Sequence, residues 1–167
     1  HILVTSSYSS DGQFELEIQE FPEVENESCD SAIITDASFD ETSITGSLNN
    51  NNNNNNQEPS RDICGQAVRS GVWYRVDVES DANVTIRAST CSDSITDFYT
   101  GISIVAGDCE ILDCIDYVNP FNWIPGCSEG GNTVEWQAYP GINYYIYVHG
   151  EEFDQIGLFE LTVKILN

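Results

Sequence analysis

The chain has 167 residues, 40% of them hydrophobic, and 28 acidic side chains against five basic ones give a formal net charge of −23. This length fits one domain of β-sandwich size with its own core plus an appendage, and it excludes two large domains. A surface with this negative charge repels nucleic acid phosphates and anionic lipid, so we expect neither nucleic acid binding nor membrane insertion. Divalent cations and basic surfaces are compatible partners, although acidity also serves solubility alone.

Six cysteines, an even number without the spacing of a His–Cys metal site, predict three disulfides. Disulfides persist in oxidising compartments, so we expect an extracellular protein, either secreted or at a cell surface. No apolar run is long enough to cross a bilayer and no signal peptide opens the chain, which favours a fragment or a mature segment. Asn26 and Asn83 each begin an Asn-X-Ser/Thr sequence, so both are predicted glycosylation sites of a glycoprotein.

The first predicted element in the chain is a hairpin over residues 1–18, and a similar hairpin is predicted over residues 144–165. Apolar residues alternate along both arms of each, which is the period of two expected of a half-buried strand. The corresponding residues are Ile2 and Ile146, Val4 and Val148, and Phe14-Glu15-Leu16 and Phe159-Glu160-Leu161.

This internal likeness predicts a tandem array. Residues 1–21 are interpreted as the closing hairpin of a preceding repeat, residues 22–27 as an acidic linker, and residues 28–167 as one complete domain. The alternative is that the two hairpins resemble each other only because all amphipathic hairpins do.

The predicted domain opens with a short strand at residues 32–34, and a run of eight asparagines follows at residues 49–56. Asparagine favours turns and has no apolar group to bury, so this run is expected to be a solvated loop. Cys64 follows the loop, and Cys29 is its expected disulfide partner. A bridge around a loop of this size would stabilise the domain by about 3–4 kcal/mol in the chain-entropy model.

Short strands and turn signals alternate through the rest of the chain, without a convincing helical stretch. The strand candidates are residues 71–78, 84–88, 102–105 and 134–138, followed by the two arms of the closing hairpin. This pattern predicts an all-β fold in which antiparallel strands form a sandwich.

Several motifs occur in order between residues 28 and 165. They are Cys29-Asp30-Ser31-Ala32, Cys64-Gly65, Gly71-Val72-Trp73-Tyr74, Thr90-Cys91, Gly107-Asp108-Cys109 with Cys114, and the segments 144–150 and 157–163. The series resembles the bacterial pre-peptidase C-terminal (PPC) domain family. The resemblance implies a secreted, jelly-roll-like antiparallel β-sandwich, often tandemly repeated and attached to enzymes or surface proteins as a non-catalytic module. Some members bind calcium, and some bind collagen or other insoluble polymers.

The same resemblance implies disulfides Cys109–Cys114 and Cys91–Cys127, although cysteine spacing alone leaves the connectivity open. The sequence departs from the family pattern in the asparagine-bearing loop. It also departs at residues 96–99, Thr-Asp-Phe-Tyr, where a Phe-Asp-Thr order is more usual. The second departure puts any family role of Asp97 in doubt.

The residues that could support catalysis are few. Only His1 and His149 are histidines, and His149 lies at a predicted strand end two residues after Tyr147, where a structural role is expected. No serine lies in a Gly-X-Ser-X-Gly elbow, and disulfides are expected to consume the cysteines. We therefore predict that the chain is not an enzyme.

Calcium is the one candidate cofactor. Asp113, Asp116 and Asn119 follow one another closely after Cys109, and Asp97 could approach from a neighbouring loop. Carboxylate and amide oxygens are the ligands that calcium prefers, but the spacing is not that of an EF-hand. The alternative is that these are solvated acids of a turn.

Three aromatic residues, Tyr117, Phe121 and Trp123, lie in a proline-containing stretch before Cys127. Exposed aromatic rings commonly bind sugars or protein partners, so this stretch is the candidate binding loop for an extracellular glycan. The alternative is that the rings pack beneath the loop as its own small core.

The sequence as a whole predicts a non-catalytic extracellular structural module, a tandem repeat or filament subunit of a cell-surface or matrix protein. Its expected partners are copies of itself, joined end to end by β-strand and hairpin contacts. The alternative is a glycan- or polymer-binding adhesion module attached to a larger secreted protein. Self-association would favour the first function, and a surface row of aromatic rings would favour the second.

Overall fold

A computed structural model describes residues 24–48, 62–67, 71–78, 80–91, 96, 98–120, 127, 130–150 and 157–166. The hairpin predicted over residues 1–18, the asparagine run and the predicted site residues Asp97, Phe121 and Trp123 lie outside these residues.

The described chain folds into strands and one short 3-10 helix. In order they are the 3-10 helix Cys29–Ser31, β1 (Ile33–Ala37), β2 (Thr42–Leu48), β3 (Asp62–Ile63), β4 (Gln66–Ala67), β5 (Gly71–Val78), β6 (Val84–Ser89), β7 (Thr100–Asp108), β8 (Ile111–Val118), β9 (Thr133–Ala138), β10 (Tyr144–Gly150) and β11 (Gly157–Leu166). β-Branched and aromatic residues make up most of β5 and β10, as expected of side chains that pack on a pleated surface. Buried and half-buried residues alternate strictly along β11, so one face of this strand is covered more completely than the other.

Two main sheets form a sandwich. One has five strands in the order β1-β5-β10-β7-β8, and the other has four strands in the order β2-β11-β6-β9. Neighbouring strands run antiparallel except for β1 and β5, which are parallel. A separate small hairpin pairs β3 with β4. The predicted fold class, an all-β, jelly-roll-like antiparallel β-sandwich with three disulfides, is confirmed.

The main core lies between the two sheets and draws on alternate residues of both. Its largest fully buried side chains include Tyr74, Ile86, Ile146, Phe159 and Leu161. The rings of Tyr74 and Phe159 meet edge to face with their centroids 6.3 Å apart. Burial of each such side chain contributes about 1.5–3 kcal/mol to the free energy of folding, so these contacts fix the spacing of the sheets.

The prediction that residues 144–165 form a hairpin is wrong, because the two arms do not pair with each other. β10 lies at the centre of the five-stranded sheet, whereas β11 lies between β2 and β6 in the other sheet. The reason is that β10 is buried on both faces except at Gly150, so it cannot be one arm of a half-exposed ribbon. The predicted inward residues are nevertheless confirmed, because Ile146, Val148, Phe159, Leu161, Val163 and Ile165 all belong to the main core.

Two of the three predicted disulfides are wrong. Cys91 bonds to Cys127 as predicted, but Cys29 bonds to Cys109 and Cys64 to Cys114. Cys109 lies in the turn between β7 and β8, and Cys114 lies within β8 opposite Val105. At about 3.3 Å per residue, β8 carries Cys114 about 10 Å from the turn, which is beyond the Cα–Cα distance of about 7 Å that a disulfide spans.

Candidate binding surface

The outer face of the five-stranded sheet, which points away from the other sheet, carries a second apolar cluster. Its buried members are Cys29, Ile63, Trp73, Val105, Tyr145 and Tyr147. Trp73 points outward because its neighbours Val72 and Tyr74 point into the main core. Its ring centroid lies 4.6 Å from that of Tyr147 and 6.5 Å from that of Tyr145. The three rings form a packed row along β5 and β10.

Two short elements lie over this outer face, and each is fastened to the β7–β8 hairpin by a disulfide. The 3-10 helix is held through Cys29 to Cys109, and the β3–β4 hairpin through Cys64 to Cys114. Cys64 and Gly65 form the two-residue turn of that hairpin with φ angles of 57° and 76°. Left-handed conformations at both positions are typical of a type I′ turn, so the disulfide is anchored in a tight turn.

Asn26 fixes the start of the described chain to β5. Its Nδ2 atom donates a hydrogen bond to the carbonyl oxygen of Trp73, and the backbone N–H of Trp73 donates to the Asn26 carbonyl, both at 2.8 Å. The described part of the predicted linker is therefore docked on the domain. Burial raises the pKa of Tyr74 to about 12, and a hydrogen bond from Asn26 opposes this shift in part.

The structure opposes the predicted glycosylation of Asn26. A glycan would be attached to Nδ2, but Asn26 is only 4% exposed and the hydrogen bond to Trp73 holds that atom inside the domain. A three-residue acceptor pattern carries no information about burial, which is why the sequence could not exclude this site. Asn83 is exposed in the connection between β5 and β6, and its glycosylation stays a prediction.

His149 lies on the outer face and is buried. Its ring stacks on Tyr147 at 5.7 Å, and Nδ1 donates to the carbonyl oxygen of Gly150 at 2.9 Å. Nε2 is buried without a hydrogen-bond partner among the described residues. Burial lowers the pKa of His149, while the bond to Gly150 opposes this in part, so the neutral ring is favoured. A buried neutral ring agrees with the structural role expected of this histidine.

A cleft of about 720 Å³ opens between the β3–β4 hairpin and the β7–β8 hairpin. Its lining comprises Ile63, Cys64, Gly65, Val105, Glu110, Ile111, Leu112 and Cys114. The volume lies within the range of small-ligand sites, about 300–1,000 Å³. Sequence reasoning missed this cleft, because its walls come from segments far apart in the chain. The Cys64-Gly65 pair indicates a tight turn, but the sequence does not show which strands this turn packs against.

Three of the four predicted calcium ligands, Asp113, Asp116 and Asn119, lie in the described chain. Asp113 and Asp116 are exposed on β8, opposite Ala106 and Ile104 of β7 respectively. The carbonyl oxygen of Asn119 accepts a hydrogen bond of 3.3 Å from Nδ2 of the buried Asn132. Among the described residues, no group of three or more His, Cys, Asp or Glu side chains is arranged to hold a metal ion. Calcium binding stays a prediction, since Asp97 is outside the described chain.

Of the three aromatic residues predicted to bind a partner, Tyr117 is described. It lies on β8 opposite Ser103 with 46% of its surface exposed. Whether Phe121 and Trp123 accompany it is not tested by the described residues. Tyr117 therefore exposes part of an aromatic ring on the β7–β8 hairpin, which also borders the cleft.

Comparison with known proteins gives a likeness of fold. No family model matches the sequence, and no curated protein matches it. Among solved structures, the chain is similar to the pre-peptidase C-terminal domain of collagenase from Bacillus anthracis, with 20% sequence identity and a TM-score of 0.42. The match covers 80% of this chain and 96% of that domain, and it falls in the family that the sequence resembles. At this TM-score the likeness carries no argument about function. In the described part of the chain, no helix is long and apolar enough to span a bilayer.

Proposed function

We propose that the chain is a non-catalytic extracellular structural module that assembles end to end with copies of itself through strand contacts. Three disulfides support an oxidising, extracellular setting. All six cysteines are in these bonds, so no thiol is free to act as a nucleophile. The burial of His149 likewise withdraws its ring from substrates.

The observation that carries the proposal is the β1 edge of the five-stranded sheet. Within the described chain, β5 is the one strand that pairs with β1, so the backbone groups along the other side of β1 remain open. Ile33, Ile34 and, just beyond the strand, Phe39 are 38%, 54% and 64% exposed. An open strand beside exposed apolar side chains is a template for pairing with a strand of another chain.

Residues 1–18 are the proposed donor of that strand. Their second arm alternates apolar Phe14, Leu16 and Ile18 with Glu15 and Glu17, and their first arm carries the apolar run Ile2-Leu3-Val4. One face of a donated strand would lie beside Ile34 and the other beside Ile33, because the register places these two residues on opposite faces of β1. Backbone hydrogen bonds would supply affinity in such a joint without demanding a specific set of side chains.

Sedimentation and electron microscopy at several protein concentrations test the proposal. We expect the parent chain to form regular multimers whose size increases with concentration. Ile34→Asp should remain a monomer, because it places a charge at the centre of the contact. Ile142→Asp is the matched control, since Ile142 is also exposed but lies in the connection between β9 and β10. A parent chain that stays dispersed at every concentration would contradict the proposal.

A second candidate function, glycan binding, is favoured by the exposed ring of Tyr117. On this hypothesis the ring stacks on a sugar face, as aromatic side chains do in extracellular adhesion modules. A glycan array probed with the parent chain and with Tyr117→Ala is the test. Loss of binding in Tyr117→Ala would support this function, whereas an array without signal for the parent chain would rule it out.

A further inference from the structure

β8 is the opposite edge of the five-stranded sheet, and its surroundings differ from those of β1. It has eight residues, and among the described strands it pairs with β7 alone, along one side. Six of the eight residues are exposed, including Ile111 at 76% and Tyr117 at 46%. Exposure on both faces, together with one open row of backbone groups, makes β8 the longest unpartnered edge in the described chain.

One face of β8 is apolar and borders the cleft. The register places Leu112 opposite Gly107 and Cys114 opposite Val105, so these side chains share the outer face of the sheet. Leu112, Val105 and the Cys64–Cys114 disulfide line the cleft. Over residues 112–114, which precede the register irregularity at Ile115, a strand added beside β8 would direct every second side chain toward this face, where apolar groups would displace water from the cleft.

The other face of β8 is acidic. Asp113 and Asp116 lie opposite Ala106 and Ile104, which places both carboxylates on the side opposite the cleft. Asp108 lies at the adjoining end of the hairpin, whereas Glu110 in the turn lines the cleft, and none of these four acids pairs with a basic side chain of the described chain. The sequence has no lysine or arginine between Arg87 and Lys164, so the strands around β8 bring no positive charge of their own.

We propose that β8 binds an extended, cationic strand from a different protein, in which apolar and basic residues alternate. Its backbone pairs with the open side of β8, its apolar side chains cover the cleft, and its lysines or arginines face Asp113 and Asp116. The charge of the edge selects this partner. A second copy of the chain fits poorly, because its net charge of −23 repels the acids around β8, and the predicted arm at residues 14–18 would add Glu15 and Glu17 to them. The inference therefore concerns a surface other than the β1 edge proposed for self-assembly.

The probe is an eight-residue peptide of alternating lysine and valine, the length of β8. Calorimetry should show saturable binding to the full chain, and hydrogen exchange should show new protection of the β8 amides. The double variant Asp113→Asn/Asp116→Asn should bind the peptide about fivefold more weakly, since each exposed charge pair contributes modestly. Both residues are exposed, so the variant is expected to fold as the parent does.

The matched control is Asp40→Asn/Glu41→Gln, which removes the same charge from exposed residues between β1 and β2. It should bind the peptide as the parent does. Equal weakening by both double variants would reduce the effect to net charge and overturn the proposal. Absence of peptide binding would also overturn it, and would mean that the acids of β8 only protect an open edge. New protection at β1 instead of β8 would assign the peptide to the self-assembly edge, whose own test is sedimentation without peptide.

Discussion

At the scale of single residues, His149 is the group whose chemistry the fold changes most clearly. Its ring fills the space above Gly101, where a Cβ atom would overlap the imidazole, and it stacks on Tyr147. Burial lowers the pKa of His149 from the ordinary value of 6.5. The same burial raises the pKa of Tyr147, so both rings stay neutral at physiological pH.

His149 should therefore make stability depend on pH. The folded pKa lies below the unfolded value, so as pH decreases below about 6.5 the unfolded chain binds a proton before the folded chain does. The contribution of His149 to the free energy of unfolding is complete above that pH and is lost toward the folded pKa. Urea midpoints at about pH 7.5 and about pH 5.5 measure this. The parent should lose more stability than His149→Gln over that interval, and equal losses would contradict the assignment.

At the scale of elements, the β3–β4 hairpin shows how a segment too short to be stable alone is held in place. Each of its strands has two residues, and Ile63 inserts into the outer cluster. An isolated hairpin of this size is not stable in water. The Cys64–Cys114 bond ties it to β8 over a sequence separation of 50.

Removal of that bond by Cys64→Ser/Cys114→Ser should lower the free energy of unfolding by about 4 kcal/mol, because the unfolded chain regains the entropy of the open loop. Thermal and urea unfolding measure the change. Cys29→Ser/Cys109→Ser, with a separation of 80, is the comparison and should cost slightly more. Unchanged stability in both variants would show that the bridges do not constrain the unfolded chain.

The position of β10 and β11 leads to a second prediction at this scale. Both are interior strands of their sheets and both come from residues 144–166, so the described sandwich contains its own central strands. Deletion of residues 1–21 should leave the melting temperature nearly unchanged, and the docked Asn26 is retained. Circular dichroism is the measurement. A deletion variant that fails to fold would show that the first hairpin belongs to this domain and not to a preceding repeat.

At the scale of the whole molecule, the net charge of −23 weakens association with acidic partners and strengthens association with basic ones. Copies of the chain repel each other, and salt screens that repulsion over a Debye length of about 8 Å at physiological ionic strength. Self-assembly should therefore strengthen as sodium chloride increases, whereas binding of the lysine–valine peptide to β8 should weaken. Sedimentation and calorimetry over the same salt series measure the two effects. Effects of equal sign would show that charge governs neither association as proposed.

The alternation of apolar residues was enough by itself to predict the fold class and the inward-facing side chains of individual strands. It predicted an all-β sandwich and identified the inward side chains of β10 and β11, because the side-chain period of a strand is a local property. The even cysteine count likewise predicted three disulfides. Outside the described residues, the tandem array, the asparagine loop and the ring of Trp123 stay predictions from sequence.

Only the tertiary structure decided which strands pair, and the decisive residues show why. Alternation in β10 and β11 indicates which side chains face inward but not which sheet each strand joins. The apolar outer face at Tyr145 and Tyr147 is buried only because residues from other parts of the chain pack over it. Cys64 meets Cys114, and Asn26 reaches Trp73, across sequence separations of 50 and 47. The cleft beside β8 arises from the same long-range packing. Contacts of this kind form only when segments far apart in the sequence come together, and a local residue pattern does not indicate which distant segment will be its neighbour.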